Sequence, residues 1–90
     1  MSGEQQFKDA CEIMRAKLGP VVKQYPEESV TLYGLYKQAT VGDNNTPRPW
    51  MIQIEASQKW YAWDKYRGMT PQEAKRLYVL TALDVVSKLS

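Results

Sequence analysis

Tyr33-Gly34-Leu35-Tyr36-Lys37-Gln38-Ala39-Thr40-Val41-Gly42-Asp43 is the stretch around which the rest of this chain is read. A helix brings residues three and four apart together, so Tyr33, Tyr36 and Lys37 fall on one strip. That strip offers two aromatic faces, two hydroxyls and an ammonium. Such a set suits a ligand with a flat base and a phosphate: a ring stacks on the base, while hydroxyl and ammonium donate to phosphate oxygens. The same spacing equally fits tyrosines that merely pack against the body of the protein. Gly42 is expected to end the helix, because glycine takes the left-handed C-terminal conformation without a clash, and Asp43-Asn44-Asn45 reads as the following turn.

Working back toward the N-terminus, Pro26-Glu27-Glu28 has the form of a first helical turn. Proline fits where no N–H is needed, and acids suit the positive end of the dipole. The second helix is therefore predicted from Pro26 to about Val41. Before it, Phe7, Ala10, Cys11, Met14 and Leu18 recur at helical spacing as the buried stripe of a first helix. Ser2, with Gln5 three residues on, is read as its N-cap, and Gly19-Pro20 as its end. Arg15 stands at the edge of the stripe, placed either to reach an anion or to snorkel into water.

Beyond Gly42 a long linker is expected to about Ala56. Pro47 and Pro49 disfavour a helix there by restricting the residues before them, and Trp50, Met51, Ile52 and Ile54 are expected to cap the end of the core. A linker longer than the usual helix hairpin lets the chain return along the bundle, so that helices two and three run parallel. Helix three is predicted from about Ser57 to Arg67, with Trp60 and Trp63 as core anchors, Lys59 at a boundary and Gly68 as its stop. Thr70-Pro71-Gln72-Glu73 combines an N-cap, a proline at the first helical position and a capping-box glutamate. It starts a fourth helix whose face carries Ala74, Leu77, Tyr78, Thr81, Val85 and Leu89. No segment alternates with the period of a strand, so the chain reads as all-α.

Composition narrows the function. Ninety residues, with twelve Lys and Arg against ten Asp and Glu, suggest one domain spanning 1–90, near neutral at formal +2. Such a domain buries roughly 60–65% of the surface that its unfolded chain exposes. This balance speaks against a general nucleic-acid binder, even one using Tyr33, Tyr36 and the lysines, because that affinity needs a concentrated basic face. The absence of histidine removes the commonest acid and base, and a single cysteine makes structural zinc improbable. Cys11, which has no internal disulfide partner, favours a reducing compartment and reads as a small core residue. No apolar run nears the roughly 20 residues that span a bilayer, and the first residues lack the order of a secretory signal. A cytoplasmic location is the expectation.

Three segments together resemble the acyl-CoA-binding protein family: Tyr33-x-x-Tyr36-Lys37-Gln38-Ala39-Thr40-x-Gly42-Asp43, then Lys59-Trp60-x-Ala62-Trp63, then Glu73-Ala74 with Tyr78. The similarity runs from about Phe7 to about Val86. It implies a four-helix bundle in up-down-down-up order, with the long loop between helices two and three. It also implies an intracellular carrier of medium- to long-chain fatty acyl-CoA, monomeric and without enzymatic activity, cofactor or metal. By the same resemblance, Tyr36 stacks on adenine and Tyr33, Lys37 and Lys59 hold the ribose 3′-phosphate. Tyr78 closes the nucleotide pocket, Arg15 adds charge near the phosphates, and Gly34 and Leu35 lie within the ligand-binding strip. Transient contact with membranes or acyl-CoA-using enzymes belongs to that picture. The chain departs from the family pattern by a few extra residues between the first two helices, and by Trp50 where glycine is common. A reading of another class is a small helical module whose tyrosine strip docks a partner peptide.

Overall fold

The computed structural model describes residues 3–89, so the expected cap at Ser2 lies outside the described residues. Four helices follow one another: α1 (Gly3–Gln24), α2 (Pro26–Thr40), α3 (Ile54–Asp64) and α4 (Pro71–Lys88). Their directions follow from which ends meet. Glu4 pairs with Lys75, and Phe7 lies 5.2 Å from Tyr78 edge to face, so α1 and α4 run parallel. The Tyr25 hydroxyl donates to the Lys88 carbonyl at 2.9 Å, while the Gln38 amide donates to the Met69 carbonyl at 2.9 Å, so α2 runs antiparallel to α4. Pro26 faces Ile54 across one groove and Gly34 rests against Ala62, which makes α2 and α3 parallel. The result is the expected up-down-down-up bundle, and the long connection across residues 41–53 carries the chain back along it. None of the four helices is long and apolar enough to cross a membrane.

The core is built from α1, α2 and α4. Phe7, Ala10, Met14 and Val21 meet Leu32, Leu35 and Ala39, and against both pack Ala74, Tyr78, Ala82 and Val85. Contrary to the expected stop at Gly19-Pro20, α1 continues through both residues. Proline lacks the donor for one backbone bond and strains the preceding turn, yet continuing the helix buries Val21 completely. Burial of a valine contributes about 1.5–3 kcal/mol, which offsets much of that penalty. The buried stripe therefore passes from Met14 to Val21 and leaves Leu18 largely exposed, not in the core as expected. Cys11 is half-buried at the cluster's edge.

Helix α3 starts three residues earlier than the sequence suggests, because the Ser57 N–H already bonds the Gln53 carbonyl at 2.8 Å. It also ends earlier, at Asp64, and tightens through Tyr66 and Arg67 into Gly68, whose φ is +90°. Trp63 is buried as expected, whereas Trp60 is only half-buried. The largest departure is at Trp50, Met51, Ile52 and Ile54, which do not cap the core but stand outside it. A polar residue of the loop, Asn44, takes the buried place instead. Asn44 is 1% exposed, its amide donating to the Trp60 carbonyl at 3.3 Å and its oxygen accepting from the Thr46 N–H at 2.9 Å.

At the start of α4, the Thr70 hydroxyl accepts from the Glu73 N–H at 3.1 Å. Only this half of the expected capping box forms, since the Glu73 carboxylate turns instead to the Arg76 guanidinium. Those bonds also hold the Glu73 carboxyl below the usual carboxylate range.

Candidate functional site: tyrosines and lysines across three helices

The strip on α2 divides into two halves with different work. Toward its C-terminus, Gln38 is buried and its amide bridges the Asp43 carboxylate at 2.9 Å and the Met69 carbonyl. Asp43 also accepts from the Gly68 N–H at 2.8 Å, and the Trp63 indole donates to the Gly42 carbonyl at 2.7 Å. Gly42 has a φ of +98°, the conformation that ends the helix and sets this knot. These residues tie the loop after α2 to the turn before α4.

In the N-terminal half, the two tyrosines turn toward a cavity. Tyr33, Tyr36 and Tyr78 line one cavity of about 180 Å³, closed on its other side by Met14, Leu18, Val21 and Leu32. The Tyr36 ring lies 6.1 Å from Phe7 in a stacked arrangement and 6.3 Å from Tyr78, and it remains 41% exposed. Helical spacing assigns Phe7 only to the buried stripe; as the support beneath Tyr36 it is the residue that sequence reasoning missed. Burial pushes the Tyr78 phenol well above the ordinary tyrosine value, with Cys11 against it adding to the shift and Arg15 opposing it. Tyr78 is thus a hydroxyl donor at any physiological pH, and Arg15 stands close enough to influence it.

The lysines come from two helices. The Lys59 ammonium lies 5.6 Å from the Tyr33 ring centre, a cation–π contact between α3 and α2. Lys59 is also 3.6 Å from Glu55, an exposed pair of little energetic weight. Lys37 is packed over Trp63 at 4.8 Å, one turn beyond Tyr33 on the same strip. Leu35 is 2% exposed within the core, and Gly34 is pressed against the Ala62 backbone, so these two hold the helices rather than face the cavity.

A second concavity of about 740 Å³ runs between the first half of α2 and α3. Val30, Met51, Ile54, Tyr61 and Ala62 give it apolar walls, with Gln58 inside and Glu27 and Lys65 among its charged residues. Val30 lies one turn before Tyr33, and Ile54 of this groove also lines a smaller concavity with Lys59. A greasy groove therefore adjoins a cationic, aromatic corner.

The family model described as "Acyl CoA binding protein" matches residues 4–82. The chain belongs to the acyl-CoA-binding protein family. It is similar to a putative acyl-CoA-binding protein of a Hypsibius species, 40% identical over 89 residues, covering 98% of this chain and 96% of that protein. Acyl-CoA-binding protein homolog 3 of Caenorhabditis elegans is 36% identical over 92 residues, covering all of this chain and 78% of the relative. Among solved structures, acyl-CoA-binding protein 2 of Oryza sativa superposes with a TM-score of 0.84 at 28% identity, over 97% of this chain and 93% of that one. An acyl-CoA-binding protein from Moniliophthora perniciosa gives 0.83 at 34% identity, over 98% and 83%. Family membership and the four-helix fold thus agree with the reading of the three sequence segments.

Proposed function

We infer that the protein binds medium- to long-chain fatty acyl-CoA thioesters and acts as their carrier and reservoir in lipid metabolism. The observation that carries this reading is the meeting of Lys59 with Tyr33 at 5.6 Å, beside an apolar groove between the same two helices. Coenzyme A is polyanionic and carries an adenine, whereas the acyl tail asks only to leave water. The corner takes the first and the groove the second.

In this reading Tyr36, backed by Phe7, stacks on the adenine. Tyr33, Lys37 and Lys59 hold the ribose 3′-phosphate, Tyr78 closes the pocket as a hydroxyl donor and Arg15 adds positive charge. Charge-assisted bonds from lysine to phosphate are the stronger kind. The tail lies along Val30, Ile54, Gln58 and Tyr61. At about 0.8 kcal/mol per buried methylene, a palmitoyl chain supplies roughly 10 kcal/mol before ordering costs, so nanomolar affinity is within reach.

The protein sequesters and delivers the thioester without cleaving it, as a cytosolic monomer formed by one domain over residues 1–90. It needs no cofactor or metal, and hands its ligand over in transient encounters with membranes or acyl-CoA-using enzymes. Peptide docking on the tyrosine strip is not favoured, because family membership and the adjoining groove point to acyl-CoA. Titration calorimetry with palmitoyl-CoA against free coenzyme A tests the proposal. Tight binding of the first and far weaker binding of the second is expected; equal affinities, or none, overturn it.

A further inference from the structure

Trp50, Met51 and Ile52 are 79%, 90% and 89% exposed, and Ile54 beside them is 70% exposed. Single apolar residues at a surface need no explanation, but four together mark a contact surface. The segment is held in place. The Trp50 carbonyl accepts from the Gln53 N–H at 2.9 Å and from the Ser57 hydroxyl at 3.3 Å, and the Gln53 side-chain oxygen accepts from the Trp50 N–H at 3.2 Å. A tight turn at the start of α3 thus presents these side chains to solvent. From Asn44 to Ile54 the sole charged residue is Arg48, its guanidinium 5.9 Å from the ring centres of both Trp60 and Tyr61. Lys59 on α3 and Lys65 just past its end add positive charge, while Glu55 on α3 and Glu27 on α2 are acids lining the neighbouring concavities.

We propose that this turn enters the interfacial layer of an anionic phospholipid bilayer, with Trp50 at headgroup level and Ile52 beneath it, so that the groove between α2 and α3 opens onto the membrane. Tryptophan beside aliphatic side chains is the composition that the interfacial zone accommodates. Arg48, with Lys59 and Lys65 behind it, complements anionic headgroups. Met51 and Ile54 belong both to the exposed turn and to the groove, so the two surfaces are continuous. An aliphatic chain leaving the bilayer then reaches the groove without crossing water. Only this last step rests on the acyl-CoA reading; membrane binding itself needs no ligand and is measured without one.

The test uses the full chain with no acyl-CoA, sedimented with vesicles of phosphatidylcholine alone or of equimolar phosphatidylcholine and phosphatidylserine while tryptophan emission is recorded. Sedimentation with the phosphatidylserine vesicles, weaker sedimentation with phosphatidylcholine alone and a blue shift are expected. Replacing Trp50→Ser together with Ile52→Ser, both outside the groove, is expected to lower partitioning about tenfold or more and to abolish the blue shift. Palmitoyl-CoA affinity in solution then stays unchanged, which shows that the doubly substituted chain is folded. Arg48→Glu is expected to weaken binding to the anionic vesicles. The proposal is overturned if neither vesicle sediments the protein, or if the double substitution sediments as well as the original chain. It also fails if the double substitution abolishes a concentration-dependent dimer instead, since the turn then meets a second copy. Absence of acyl-CoA affinity in the original chain, with intact and turn-dependent vesicle binding, would refute the carrier reading and leave this one standing.

Discussion

The ammonium of Lys59, on α3, lies 5.6 Å from the ring centre of Tyr33, on α2. Residues 26 positions apart in the chain are joined at this point, across the seam between two helices. If the pair and Lys37 together receive a phosphate, Lys37→Ala is expected to lower palmitoyl-CoA affinity by about 1.5–3 kcal/mol, the range for a charge-assisted bond. Lys59→Ala is expected to act in the same direction. Calorimetry reads both, and unfolding in urea is expected to change little by comparison.

Tyr36 offers its exposed ring on a base of Phe7, 6.1 Å below it. Tyr36→Ala is expected to cost about 1–3 kcal/mol of ligand affinity, the usual range for losing a base-stacking ring. Tyr36→Phe keeps the ring and is expected to keep most of the affinity. Equal losses for the two substitutions, measured with the same acyl-CoA, would assign the contribution to the hydroxyl.

At Gly34, α2 lies directly against the backbone of α3. A Cβ there would collide with the Ala62 carbonyl and stand 3.0 Å from the Tyr66 ring. Backbone is the obstacle, so the helices themselves must separate. Gly34→Ala is expected to destabilise the fold by about 1–3 kcal/mol and to weaken acyl-CoA binding as Lys59 moves away from Tyr33. Urea midpoints and calorimetry on the same preparation check the two effects.

Asp43 contributes to the pH dependence, as Glu73 and Glu4 do. The Gly68 N–H, then the Gln38 amide, hold its carboxyl below the ordinary aspartate value. A carboxyl with a depressed folded value stabilises above its unfolded value and loses that contribution as pH falls through the folded one. Stability is therefore expected to drop once pH passes below about 3.9. Asp43→Asn keeps an acceptor for both donors while removing the titration, so its acid unfolding profile is expected to be flatter. Circular dichroism across an acid series checks this.

The sequence carried the helix count and the parallel return of α3, because helical spacing and helix-end residues act locally. What it did not separate was the two halves of its own central motif. Gln38 and Asp43 are polar like Tyr33 and Lys37, but they are engaged inward with Met69 and Gly68. Only the position of the turn before α4 distinguishes them. Pro20 misled for a related reason: a local penalty was outweighed by the burial of Val21 against distant residues. Trp50 and its neighbours misled in the opposite sense, since hydrophobicity alone does not say which surface covers a side chain.

Among the described residues, α3 packs against α2 but against neither α1 nor α4. Such an arm has fewer attachments than the other three helices and is expected to open first. Its amides should exchange with deuterium faster than those of α2 or α4. A molecule bridging Lys59 to Tyr33 would clasp the arm at its loose flank, so loading the carrier should slow that exchange selectively.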